Sequence, residues 1–119
     1  MAKILVIDDE EAVCEFIKAY LEKRGYQVAV ALTGKEALSA YPGQNPDLVL
    51  LDLGLPDMNG REILQDIKAK MPRIKVMVIS AYKEQSTRDE LAKLGADYFM
   101  GKPFVIPKLY EAIQEILKH

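Results

Sequence analysis

The residues in this chain that could carry chemistry are few and widely separated: Asp8-Asp9-Glu10, Asp52, Ser80 and Lys102. Carboxylates held close together repel unless a cation sits among them or some stay protonated, and oxygen-only ligands suit Mg²⁺, or Mn²⁺, better than softer metals. A small hard ion bound by a few carboxylates and waters keeps open positions for phosphate oxygens. A hydroxyl from Ser80 and an ammonium from Lys102 would add a hydrogen-bond donor and a fixed positive charge for the same anion. A carboxylate can also accept a phosphoryl group as a mixed anhydride, which makes Asp52 the candidate nucleophile and leaves Asp8 and Asp9 to hold the ion.

Taken singly, each residue has a plainer role open to it. Asp8-Asp9 could be an acid cluster at a helix start, Asp52 a turn residue, Ser80 a turn hydroxyl and Lys102 a solvated side chain. The shared site stands or falls with the elements that position all of them.

Short apolar runs recur at Ile4 to Ile7, Val28 to Ala31, Leu48 to Leu51, Val76 to Ile79 and Tyr98 to Met100. They do not alternate with polar residues, as expected of strands buried on both faces. Between them lie segments of helical spacing, including Ala12, Phe16, Ile17, Tyr20 and Leu21, then Ile63, Leu64, Ile67 and Met71. Thr33 is a candidate N-cap for the second helix, Pro42-Gly43 are expected to close it, and Gly25 and Gly95 follow the ends of the first and fourth. The last two helices are expected from Ser86 to Leu94 and from Pro107 to Leu117, with Leu109, Ile113, Ile116 and Leu117 as a core stripe.

Alternating strands and helices give an α/β fold: a doubly wound, flavodoxin-like parallel sheet of five strands, for which the usual order is 2-1-3-4-5. In such sheets ligands bind beyond the carboxyl ends of the strands, at the switch point between strands one and three. Asp8 and Asp9 follow the first run, Asp52 the third, Ser80 the fourth, and the fifth leads into Lys102. Their strand-end placement favours one phosphate-binding site over four unrelated roles.

Composition narrows the rest. The chain of 119 residues, half hydrophobic and 29% charged, has a net charge of -2 with both signs interspersed. One domain over residues 1–119 is expected, without a linker, a repeat or a basic patch for nucleic acid. Cys14 is the single cysteine and is expected to be a buried, inert thiol. A lone cysteine, no signal segment and no apolar stretch of membrane length fit a cytoplasmic protein.

Four segments in order resemble the receiver domains of two-component response regulators, the CheY-like superfamily: Ile4 to Glu10, Pro46 to Gly60, Val78 to Ala81, and Gly95 to Phe104. The resemblance covers essentially the whole chain. It implies that Asp52 is the phosphoacceptor, that Asp8, Asp9, Asp52 and the backbone carbonyl of Gly54 hold Mg²⁺, and that Ser80 and Lys102 bind phosphoryl oxygens. The switch would be Ser80 with Phe99, where the family more often has Tyr, and the surface of helix four, strand five and helix five would respond. Gly54 and Tyr82 stand where the family tunes the lifetime of the acyl phosphate.

The donor would be a sensor histidine kinase or a histidine phosphotransfer protein, with self-catalysed transfer and slow autodephosphorylation in place of enzymatic turnover. The target would be a downstream protein or an output domain, with no direct binding of nucleic acid or membrane. On the first helix, Glu11, Glu15, Lys18 and Glu22 are exposed candidates for partner choice, though a solvated face explains them as well. Helix five lacks the Arg of winged-helix regulators, and the last helix reaches a natural domain edge at Leu117-Lys118-His119, consistent with a stand-alone receiver or one part of a longer regulator. Three other readings are weaker. A flavin carrier would want donor-rich loops where Asp8-Asp9-Glu10 stands, a phosphohydrolase would want a general acid, and a phosphate-independent pseudo-receiver would not need all five polar residues.

Overall fold

The structure, a computed structural model, describes residues 2–82 and 84–118. The chain runs β1 (Lys3–Ile7), α1 (Glu11–Glu22), β2 (Gln27–Ala31), α2 (Gly34–Gln44), β3 (Leu48–Asp52), α3 (Gly60–Lys70), β4 (Lys75–Ser80), α4 (Gln85–Lys93), β5 (Tyr98–Gly101) and α5 (Ile106–Leu117). All five strands pair in parallel in one sheet, in the order β2-β1-β3-β4-β5.

The two-sided burial of the central strands follows from the period of two along a strand. Leu5 and Ile7 of β1, Val49 and Leu51 of β3, and Val76 and Val78 of β4 meet Tyr41 of α2, Ile63, Leu64 and Ile67 of α3, and Leu91 of α4. Ile4 and Val6, Leu48 and Leu50, and Met77 and Ile79 face the other way, onto Cys14, Ile17 and Leu21 of α1 and Leu109 and Ile113 of α5. These strands are apolar throughout because both of their faces are core.

Two sequence expectations need correction. The helical spacing of α1 groups Ala12 and Phe16 with Ile17, Tyr20 and Leu21, yet both are exposed, Phe16 to 59%. Ile17, Tyr20 and Leu21 pack together with Val13 and Cys14 instead, a choice of face that apolar spacing alone does not fix. Pro42 and Gly43 do not close α2, which continues to Gln44 and stops at Asn45, a left-handed C-cap with φ 49° whose N–H donates to Tyr41 O. The left-handed residue, rather than the proline, ends the helix.

Other boundary signals hold. Thr33 caps α2 by accepting from Glu36 N, and Gly25 and Gly95 adopt φ of 95° and 106° after α1 and α4. At the pole away from the strand ends, Lys68 Nζ donates to Ile74 O at 2.6 Å and pairs with Asp97 Oδ2 at 2.7 Å, and that same oxygen accepts from Val76 N. His119 lies outside the described residues.

Candidate functional site

The register of the sheet brings the polar residues to one edge. Ile7 pairs with Leu51, Asp52 with Ile79 and Ser80 with Gly101, so the residues after β1, at the end of β3, at the end of β4 and after β5 fall side by side. Asp8, Asp52 and Ser80 are buried, at 5%, 7% and 1% exposure, while Asp9 is exposed. One carboxylate oxygen from each of Asp8, Asp9 and Asp52 lies within 4.8 Å of the others. A hard divalent ion that binds oxygens at about 2.0–2.1 Å fits such a triad after a small contraction.

Asp8 is not a helix cap. The N-cap of α1 is Glu10, which makes no side-chain capping bond, and Asp8 Oδ1 accepts from Glu10 N at 2.9 Å. Its other oxygen is 3.7 Å from Lys102 Nζ. Burial, with the charge of Asp52 added, holds the Asp8 carboxyl above the ordinary carboxylate range despite the Glu10 amide and Lys102. Excess negative charge in a partly desolvated space is the condition a cation relieves.

Lys102 is not a solvated side chain. Its Nζ is 3.3 Å from Asp52 Oδ2, and its backbone N–H donates to Ser80 O at 2.8 Å. Burial alone would lower its pKa, but Asp52 and then Asp8 outweigh burial and raise it, so the ammonium stays charged. The peptide joining Lys102 to Pro103 is cis.

Asp52 and Ser80 each accept a hydrogen bond from the backbone two residues on, as turn residues do. Asp52 Oδ1 accepts from Gly54 N at 3.2 Å, and Ser80 Oγ accepts from Tyr82 N at 3.0 Å. Asp52 keeps its second oxygen on Lys102, and the Ser80 hydroxyl keeps its proton to donate. Phe99 is a β5 residue, half-buried against the α2-α3-α4 core, and the guanidinium of Arg88 stands 4.8 Å from its ring centroid. Tyr82 is 67% exposed beside the site.

Supports around the site escaped sequence reasoning. Gly60, the first residue of α3, would place a Cβ 2.9 Å from Leu53 Cα and 3.0 Å from Asp52 O, so only glycine lets α3 approach the end of β3. Asp57 reaches across to the backbone of α2, at Gly34 and Lys35. Both stand in the segment that carried the resemblance, but nothing local in the sequence reveals contacts of 22 or 23 residues' separation. Cys14, by contrast, is as expected. It is wholly buried, its Sγ donates to Asp8 O at 3.3 Å, and burial pushes the thiol up to about 12.

Sheet order and site together define a phosphoacceptor signalling module, and the chain belongs to the response regulator receiver domain family, whose model matches residues 4–114. It is similar to sporulation initiation phosphotransferase F of Bacillus subtilis, at 36% identity over 97% of this chain and 93% of that protein. It is also similar to chemotaxis protein CheY of Thermotoga maritima, at 34% identity over 98% of each. The transcriptional regulatory protein KdpE of Escherichia coli matches at 35% identity over 99% of this chain, which spans about half (52%) of that relative's length.

Among solved structures, the non-phosphorylated HemR receiver domain of Leptospira biflexa superposes with a TM-score of 0.95 at 31% identity, covering 100% of this chain and 96% of that one. The response regulator TrrA of Thermotoga maritima, solved in complex with Mg(2+)-BeF, superposes at 0.85 with 34% identity, covering 98% and 99%. Receiver domains of this family partner with histidine kinases or phosphotransfer proteins and bind Mg²⁺ at an acidic pocket. No helix among the described residues is long and apolar enough to cross a membrane.

Proposed function

We propose that this chain is a cytoplasmic receiver, one domain over residues 1–119, that accepts a phosphoryl group on Asp52 from a histidine kinase or a histidine phosphotransfer protein. An Asp52 oxygen attacks phosphorus, the bond to the donor's imidazole nitrogen breaks, and its electron pair stays on that nitrogen. The observation that carries this reading is the contact of Lys102 Nζ with Asp52 Oδ2 at 3.3 Å beside the oxygens of Asp8 and Asp9. The nucleophile, its counter-charge and a cation triad thus share one strand edge.

Asp8, Asp9, Asp52 and the carbonyl of Gly54 would hold Mg²⁺, which when bound neutralises charge developing on the transferred group. Lys102 and the Ser80 proton then bind the remaining phosphoryl oxygens, so Lys102 exchanges a carboxylate for a phosphate. Ser80 Oγ holds Tyr82 N, so a movement of Ser80 toward the new group would be felt in the segment that follows β4. Phe99 follows as the second switch residue, and the α4-β5-α5 face is the surface a downstream target reads. The superposing TrrA structure, solved in complex with Mg(2+)-BeF, supports a Mg²⁺ site in this chain.

Intact mass measured after incubation with Mg²⁺ and acetyl phosphate tests it. One added phosphoryl group is expected, absent with EDTA and absent in Asp52→Asn. No gain under any condition would overturn the reading and leave a partner-binding module.

A further inference from the structure

The loop between β3 and α3, residues 53–59, carries Gly54, and its far end is fastened to an element that contributes nothing else to the site. Asp57 Oδ1 accepts from Gly34 N at 2.8 Å and Asp57 Oδ2 from Lys35 N at 2.9 Å. These are the first two amides of α2. The next residue, Met58, lies so close to Gly34 that a Cβ there would overlap its side chain. Two consecutive loop residues therefore grip the same helical turn, one by charge-assisted hydrogen bonds and the other by packing.

Thr33 Oγ1 accepts from Glu36 N at 3.1 Å, so α2 has a cap of its own beside the two amides that Asp57 takes. The Asp57 bonds fasten the loop as well as the helix end. At its start the loop leaves Asp52, and where it ends Gly60 presses on the backbone of Asp52 and Leu53. With Asp57 fixed as well, the short stretch from Leu53 to Pro56 is held at both ends, and Gly54 lies within it. The two amides hold the Asp57 carboxyl below the usual carboxylate range, so the grip persists at neutral pH.

We propose that Asp57 is a positioning residue for cation binding: by tying the β3–α3 loop to the first turn of α2, it presets the Gly54 carbonyl before an ion arrives. This rests on the reading above that the Gly54 carbonyl completes the ion's protein ligands. Outer supports of this kind act by orienting a ligand that they do not replace, and their loss typically weakens metal affinity about 10-fold or more.

The test is calorimetric titration of the unphosphorylated full chain with Mg²⁺, with thermal melts in parallel, for wild type, Asp57→Ala, Asp57→Asn and Thr33→Ala. Asp57→Ala is expected to weaken Mg²⁺ binding about 10-fold. Asp57→Asn, which keeps one acceptor, should fall between Ala and wild type. Thr33→Ala removes the cap of the same helix without touching the loop, and should lower the melting temperature while leaving Mg²⁺ affinity within about 2-fold of wild type, since an Ncap loss acts on helix stability. Phosphorylation of Asp57→Ala by acetyl phosphate should need more Mg²⁺ for half-maximal rate yet reach the wild-type rate at saturation. Wild-type affinity in Asp57→Ala, or an equal loss in Thr33→Ala, overturns the proposal alone. If wild type itself binds no Mg²⁺, the reading of the site falls and takes the proposal with it.

Discussion

The guanidinium of Arg88, on α4, stands 4.8 Å from the centroid of the Phe99 ring on β5 and covers one of its faces. A second arginine, Arg61 of α3, pairs with Glu90 of α4 at 2.8 Å. Helix α4 buries only Leu91, with Leu94 packed beside it, so these two contacts add to a small apolar anchor. A cation over an exposed aromatic face contributes about 0.5–1 kcal/mol. Arg88→Ala is therefore expected to speed exchange of the Phe99 ring roughly 2- to 5-fold. Aromatic NMR relaxation dispersion would measure this, and an unchanged rate would show that Arg88 does not restrain the ring.

Lys102 touches both Asp8 and Asp52, so a cation entering the site competes with it. Lys102→Met keeps the stem and removes the charge. Unit charges at about 4 Å in a water-like medium interact by about 1 kcal/mol. Mg²⁺ affinity should accordingly rise roughly 5-fold, read by titration calorimetry, while the rate of phosphorylation by acetyl phosphate falls. Weaker Mg²⁺ binding in this variant would contradict the counter-charge role.

Tyr41 is wholly buried, and its hydroxyl donates to Asp66 Oδ2 at 2.6 Å. This bond, with Lys70 assisting, lowers the Asp66 pKa, while burial and the same bond raise that of Tyr41. A carboxylate with a lowered folded-state pKa stabilises the fold above its ordinary value of 3.8 and loses that contribution as pH falls through the lowered one. Tyr41→Phe should cost about 1 kcal/mol at pH 7. In urea melts its deficit should shrink as pH drops below 4, and a deficit independent of pH would assign the loss to packing instead.

Gly60→Ala places a methyl against the backbone of Leu53 and Asp52, which a rotamer change cannot relieve. Overpacking of this kind costs about 1–3 kcal/mol. Because the strain falls on the end of β3, the variant should lose stability and phosphorylate more slowly at saturating Mg²⁺. This kinetic pattern is opposite to that expected of Asp57→Ala, and stopped-flow rates across a Mg²⁺ series would separate them.

The sheet was legible because Ile4 to Ile7, Leu48 to Leu51 and Val76 to Ile79 are buried on both faces and therefore apolar without interruption. The polar residues of the site were legible for a related reason: Asp8, Asp52 and Ser80 interrupt the apolar pattern where the strands end. What escaped was information held between distant segments. Asp57 reads as an ordinary turn acid until its partners at Gly34 and Lys35 are known. Arg88 reads as a solvated charge until the path of β5 is known. In α1, Phe16 and Ile17 are neighbours and both apolar, and only packing against α5 and the sheet decides which of them is inside.

The burial of Cys14 has a practical consequence. A thiol with no exposure, whose burial pushes its pKa well above the ordinary range, presents almost no thiolate at pH 7, and what there is lies out of reach. To maleimides and other thiol-directed labels the native chain should behave as if it had no cysteine. A fluorophore or spin label could thus be attached through one added surface cysteine, on α4 or α5, with the original thiol left in place beneath Asp8.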